Sequence, residues 1–150
     1  MNPPRNILVP IDLDDCAAHV LDYAVALATK LDAELHVLHI VPWPLLGAEV
    51  PIAVTGTAMD DIMKHKQQAF DQLVAAHTVT PGLGSAMLRK GDARTAILAF
   101  AEELHPDLIV MGTHGRRGVS RLVLGSVAES VARTAPCPVL LVRSGLAITS

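Results

Sequence analysis

Short apolar runs alternate along this chain with stretches of helical spacing, and that alternation leaves few folds open. The runs lie at residues 5–11, 33–41, 82–92, 107–111 and 137–143. Between the first two, Val20, Ala24, Leu27 and Leu31 recur at helical intervals over residues 15–31, with Asp14 or Asp15 placed to cap the helix. Ile62, Ala69 and Leu73 mark a long second helix over 58–77. Residues 93–104 and 127–135 supply the third and fourth helices. Strand then helix, repeated to a final strand, predicts right-handed crossovers and an open parallel sheet with helices on both faces. The segment 42–57, rich in proline and glycine, is predicted as a loop. One domain over residues 1–150 accounts for the length.

Composition agrees with a buried parallel sheet. Hydrophobic residues make up 51% of the chain but aromatic residues only 3%, so Val, Leu, Ile and Ala build the core. The net charge of −3 offers no general attraction to nucleic acid or to an anionic membrane. No run reaches the roughly 18 apolar residues of a membrane span, and the first residues lack the apolar core of a signal peptide. A cytoplasmic protein is expected, with Cys16 and Cys137 as free thiols. His36 and His39 are three apart on a strand and face opposite sides, so they make no metal pair. Asp60 and Asp61 read as a solvated helix start.

The connection between the fourth strand and the fourth helix, GTHGRRGVSRLVLGS (residues 112–126), is far longer than the about 2–6 residues such a turn needs. Its glycines fall in the pattern G-x2-G-x9-G-S, at Gly112, Gly115, Gly125 and Ser126. Glycines let backbone N–H groups approach a ligand closely, and a helix starting at Ser126 and Val127 brings the positive end of its dipole. Together they suit an anion such as phosphate. His114 and Arg116 are the side chains best placed to approach phosphates, though Arg116 and Arg117 point apart and one of them faces solvent. The same residues admit a purely structural role: SVAE, from Ser126 to Glu129, fits a capping box. The loop matches neither GxxxxGK[ST] nor GxGxxG.

With an opening NILVPID and a closing CPVLLVR, this loop makes the chain resemble the universal stress protein family from about Asn6 to Arg143. In that family, G-x2-G-x9-G-S/T marks the members that bind ATP, and the pattern here is complete. The resemblance implies a Rossmann-like sheet in the order 3-2-1-4-5. Ligands of such sheets bind beyond the strand carboxyl ends at the point where connections diverge, here between the first and fourth strands. It further implies that Pro10, Ile11 and Asp12 wall the adenosine, with Asp12 near a polar edge. Val41 offers its backbone to adenine and Met111 packs on the ligand. Relatives often carry Gly-x-Pro after the third strand; this chain has Gly91-Asp92-Ala93. Mg²⁺ arrives, if at all, with the phosphates, and no dedicated metal site is expected.

Three functional classes follow. The first is an ATP-dependent regulatory dimer in a stress response, acting on a downstream protein that the sequence does not name. The second is a slow ATPase or nucleotidyl-transfer enzyme; the missing phosphate-loop lysine and the lack of a clear base argue against it. The third is an interaction module indifferent to nucleotide. Dimerisation is expected through the last strand, an edge in the order 3-2-1-4-5. Val139, Leu140, Leu141 and Val142 make both of its faces apolar, so a second copy is the natural cover.

Overall fold

A computed structural model describes residues 2–43, 56–78, 82–113 and 124–143. Among these residues nine elements follow in strict alternation: β1 (Asn6–Pro10), α1 (Ala17–Leu31), β2 (Glu34–Pro42), α2 (Gly56–His77), β3 (Leu83–Gly91), α3 (Ala93–Leu104), β4 (Leu108–Gly112), α4 (Ser126–Thr134) and β5 (Val139–Val142). All neighbouring strands are parallel, in the order β3-β2-β1-β4-β5. The expected sheet and its order are both present.

Strand alternation divides the core in two. Ile7, Val9, Leu35 and Val37 face α1 and α2, where Leu21, Ala24, Phe70 and Val74 close over them. Leu8, Leu38, Ile40 and Ile109 face the other way, under Ile97 and Phe100 of α3 and Val131 of α4. The central strands are covered on both faces, which is why they read as nearly continuous apolar runs.

His36 and His39 do take opposite faces. The His36 ring meets Ser85 Oγ at 2.8 Å through Nδ1. His39 stacks on Phe70, with ring centroids 6.3 Å apart. At Gly84 the β2–β3 register skips a residue, and a Cβ there would lie 2.6 Å from both Glu34 Cγ and His36 Cε1. Any side chain there would require the Glu34 and His36 side chains to shift.

The amino end of the sheet is tied shut by carboxylates. Asp107 Oδ2 accepts from the backbone N–H groups of Arg5 and Asn6, both at 2.9 Å. These bonds hold the Asp107 carboxyl below its ordinary pKa. Arg5 also bonds the Asp32 carboxylate at 3.1 Å. The start of α1 departs from the sequence expectation. Cys16, not Asp14 or Asp15, is the N-cap and makes no side-chain cap bond; Asp14 Oδ1 instead accepts from Cys16 N–H at 2.9 Å, two residues before the cap position.

Candidate functional site

The carboxyl end of the sheet is open. A cavity of about 560 Å³ lies where β1 and β4 diverge, with β2, α1, α3 and α4 around it. Its size falls within the roughly 300–1,000 Å³ of small-molecule sites, and its position is the switch point of a doubly wound sheet. Neighbouring strands lead their chains to opposite faces there, and the gap is a consequence of topology.

The residues expected at the site are distributed as follows. Pro10, Ile11 and Asp12 form one wall as the chain leaves β1. Met111 and Gly112, at the end of β4, form the opposite wall, and Gly125, Ser126 and Val127 bring the start of α4 to it. Asp92, after β3, caps α3: its carboxylate accepts from Thr95 N–H at 3.0 Å and from Thr95 Oγ1 at 2.9 Å. Val41 does not line the cavity. It is fully buried, while Ile40 and Pro42 on either side do line it. The role implied for Val41 is of its backbone alone, which runs between these two lining residues near the end of β2, so a buried side chain leaves that role untouched. His114, Gly115, Arg116 and Arg117 lie outside the described residues.

The long connection leaves β4 and returns to α4 at a single point. Gly125 N–H donates to the Thr113 carbonyl at 2.8 Å, and Thr113 N–H donates to the Val142 carbonyl at 3.1 Å. Helix α4 starts without the expected capping box. Gly125 is its N-cap, with φ −60 and ψ 148 and no side-chain cap bond, so Ser126 is the first helical residue. A serine already inside the helix cannot bend back to cap it. Glu129 turns instead to Arg133, at 2.8 Å.

Several lining residues were not expected from the sequence. Ile40 and Ile97 contribute apolar surface, Lys66 of α2 brings a cation, and Cys16 is part of the lining. His39 also lines the cavity and donates from Nδ1 to the Ile11 carbonyl at 2.7 Å. Burial pushes the His39 pKa below its ordinary 6.5, against opposing contributions from the Ile11 bond and the Asp12 carboxylate. The alternation of β2 could have singled out Ile40; nothing local in the sequence brings Lys66 to the cavity. Among the described residues, no group of three His, Cys, Asp or Glu side chains could hold a metal ion, and no helix is long and apolar enough to cross a membrane.

Among the described residues, the arrangement combines apolar surface, the Lys66 cation, the Asp12 and Asp14 carboxylates and a helix start without a side-chain cap on the same opening. Apolar surface beside a helix start suits a small molecule with an apolar part and an anionic part. Comparison with known proteins adds to this geometry. The sequence profile of the universal stress protein family matches residues 4–143. A universal stress protein of Methanocaldococcus jannaschii is 33% identical over 147 residues, spanning 93% of this chain and 82% of the relative. The solved universal stress protein UspA from Lactobacillus plantarum superimposes with a TM-score of 0.76 at 30% identity, covering 93% of this chain and 97% of that one. Another universal stress protein, solved in complex with cAMP, shares the fold at a TM-score of 0.64 and 22% identity, over 95% and 99% of the two chains. The chain belongs to the universal stress protein family.

Proposed function

We propose that this protein binds ATP in the cavity between β1 and β4 and uses its occupancy to regulate a stress-response partner. The observation that carries the reading is the junction of the glycine pattern with the uncapped start of α4 at a cavity walled by Pro10, Ile11 and Asp12. The adenosine lies against the apolar interior, by Ile11, Ile40 and Met111. The phosphates meet backbone N–H groups of Gly125, Ser126 and Val127, with Gly115 allowing close approach and His114 and Arg116 adding charge. Mg²⁺ comes with the phosphates and keeps most of its waters. The relative solved with cAMP supports an adenine nucleotide as a ligand compatible with this fold.

Hydrolysis is not the main output. The phosphate loop carries no lysine of the GK[ST] type, and turnover falls below the roughly 1–10³ s⁻¹ usual for enzymes. The protein acts in the cytoplasm as a homodimer through β5. This strand pairs only with β4 among the described strands, and Val139, Leu140 and Leu141 are only half-buried. On the opposite edge, the Arg89 guanidinium lies over Phe100 and the Lys90 ammonium over Trp43, so β3 carries its own cover.

Protein purified without added nucleotide and then denatured is expected to release an adenine nucleotide. By calorimetry, the unmodified chain binds ATP and Gly115→Val does not, while both remain folded. Equal affinity in the two proteins would overturn the phosphate cradle. Sedimentation of a monomer at tens of micromolar would overturn the dimer.

A further inference from the structure

We propose that His39 is a positioning residue for the cavity: by donating from Nδ1 to the Ile11 carbonyl, it sets the path of the Pro10–Ile11–Asp12 wall as the chain leaves the sheet. The ligand role of that wall rests on the reading of the cavity as a nucleotide site; the clamp itself does not.

The argument begins at the end of β1. The strand stops at Pro10, paired in register with Leu38. Ile11 N–H still reaches the Leu38 carbonyl, at 2.8 Å. The Ile11 carbonyl lies past the end of this ladder, beside a cavity, just where the chain must turn away from its neighbours. A buried carbonyl left without a donor is costly, by about 1–3 kcal/mol. His39 supplies the donor from the next position of β2, at 2.7 Å. The peptide plane that contains the Ile11 carbonyl also contains Asp12 N–H, so holding one fixes the direction in which Asp12 departs.

The His39 ring has little freedom to do otherwise. The residue is only 5% exposed. Phe70 of α2 stacks on it with planes 26° apart. The Asp12 carboxylate and the Lys66 ammonium act on it from two further elements. A carbonyl can only accept, so Nδ1 carries the proton. In the neutral ring this leaves Nε2 as an acceptor. An apolar side chain would fill the same space on β2 without holding Ile11. A merely structural residue needs only the packing; a positioning residue needs the donor at Nδ1.

The test separates the two with His39→Leu, which keeps bulk without a donor, and His39→Asn, whose amide N–H reaches the position of Nδ1. Three readouts are taken on the full chain. Nitrogen-15 NMR of the ring at neutral pH is expected to show the Nδ1–H tautomer. Hydrogen exchange at the Asp12 amide is expected to quicken about tenfold or more in His39→Leu and to stay near the unmodified rate in His39→Asn. ATP affinity is expected to fall about tenfold in His39→Leu and to recover to within about threefold in His39→Asn. An Nε2–H ring, or Asp12 exchange equal in all three proteins, overturns the clamp whether or not nucleotide binds. Normal ATP affinity in His39→Leu overturns its role in positioning the site. Should His39→Leu fail to fold, the ring tautomer still decides the matter. Failure of the unmodified chain to bind ATP would remove the nucleotide reading and leave the clamp to the first two readouts.

Discussion

Helices α3 and α4 both begin at the carboxyl edge of the sheet and both contribute to the cavity, yet their first turns are finished differently. Asp92 caps α3 with its carboxylate, from an extended backbone of φ −77 and ψ 127. Gly125 stands at the same position of α4 with almost the same backbone and no side chain to offer. The first N–H groups of any helix need partners from outside the helix. In α3 the chain supplies one itself. In α4 the N–H groups of the first turn face an opening where a bound anion can serve. On the proposed function, the start of α4 is kept for the ligand while that of α3 is closed, and the difference at the cap position is a single side chain.

The comparison breaks most visibly if α4 is given the cap of α3. Gly125→Asp fits the local backbone, because its φ and ψ already match a capping aspartate. The new carboxylate takes the N–H groups and repels phosphate. ATP affinity is expected to fall by about 100-fold or more while the unfolding midpoint holds or rises. Calorimetry and thermal melts on one preparation measure both. A variant with normal affinity would show that the start of α4 is not where the anion sits.

The converse change, Asp92→Ala, opens α3. Here stability falls and binding survives: the midpoint drops by a few degrees, and ATP affinity stays within about threefold. A large loss of affinity would instead mean that the α3 cap shapes the site directly.

Acid removes the same cap reversibly, but only after it has reached the histidines. Burial lowers the pKa of His36 and His39 from 6.5, so the fold favours their neutral forms. Their contribution is complete above 6.5 and is lost as pH falls from there toward the folded values. Asp92 is lowered from 3.8 chiefly by the Thr95 backbone bond, and Asp107 chiefly by the Arg5 backbone bond. Their contribution is present above 3.8 and fades below it. A plot of melting midpoint against pH is expected to fall in two stages. Asp92→Ala shallows only the more acidic stage, and His36→Gln with His39→Asn only the earlier one.

Much of this was legible in the sequence because each level repeats one rule. Five apolar runs and four helical periods already require a parallel sheet, since the crossovers leave no other economical arrangement. Strand order was not legible from periodicity; it came with the motif in residues 112–126. The misses lie where one residue decides a face or a cap. Ile40 lines the cavity and was passed over, although the alternation of β2 could have singled it out. Ser126 and Glu129 have the spacing of a capping box, but the helix begins one residue too early for Ser126 to serve. The faces of His36 and His39 followed from alternation, whereas the bond from His39 to Ile11 depends on where β1 ends. Gly84 shows the same limit: an isolated glycine in a strand hints at a bulge, but only the Glu34 and His36 side chains beside it show what a larger residue would have to displace.

The smallest expected effect gives the finest distinction, and it concerns Ser126. In a capping box, Ser126→Ala removes a side-chain acceptor and lowers stability by about 1 kcal/mol. In the structure Ser126 is exposed and occupies the first helical position, with Gly125 as the cap. Alanine is the better helix former there, by up to about 0.5 kcal/mol. Stability of Ser126→Ala is therefore expected to hold or rise slightly, opposite in sign to the capping prediction. ATP affinity is expected to fall by about threefold to tenfold, for the loss of one hydroxyl donor to phosphate while the backbone N–H groups remain. Glu129→Ala is the control, since its carboxylate pairs with Arg133 along the exposed helix and contributes only about 0.3–0.5 kcal/mol. Denaturant melts of the two variants in parallel separate the readings. If Ser126→Ala loses about 1 kcal/mol, the serine is a cap after all and α4 is closed in the manner of α3. If it loses affinity without losing stability, the first residue of α4 belongs to the ligand.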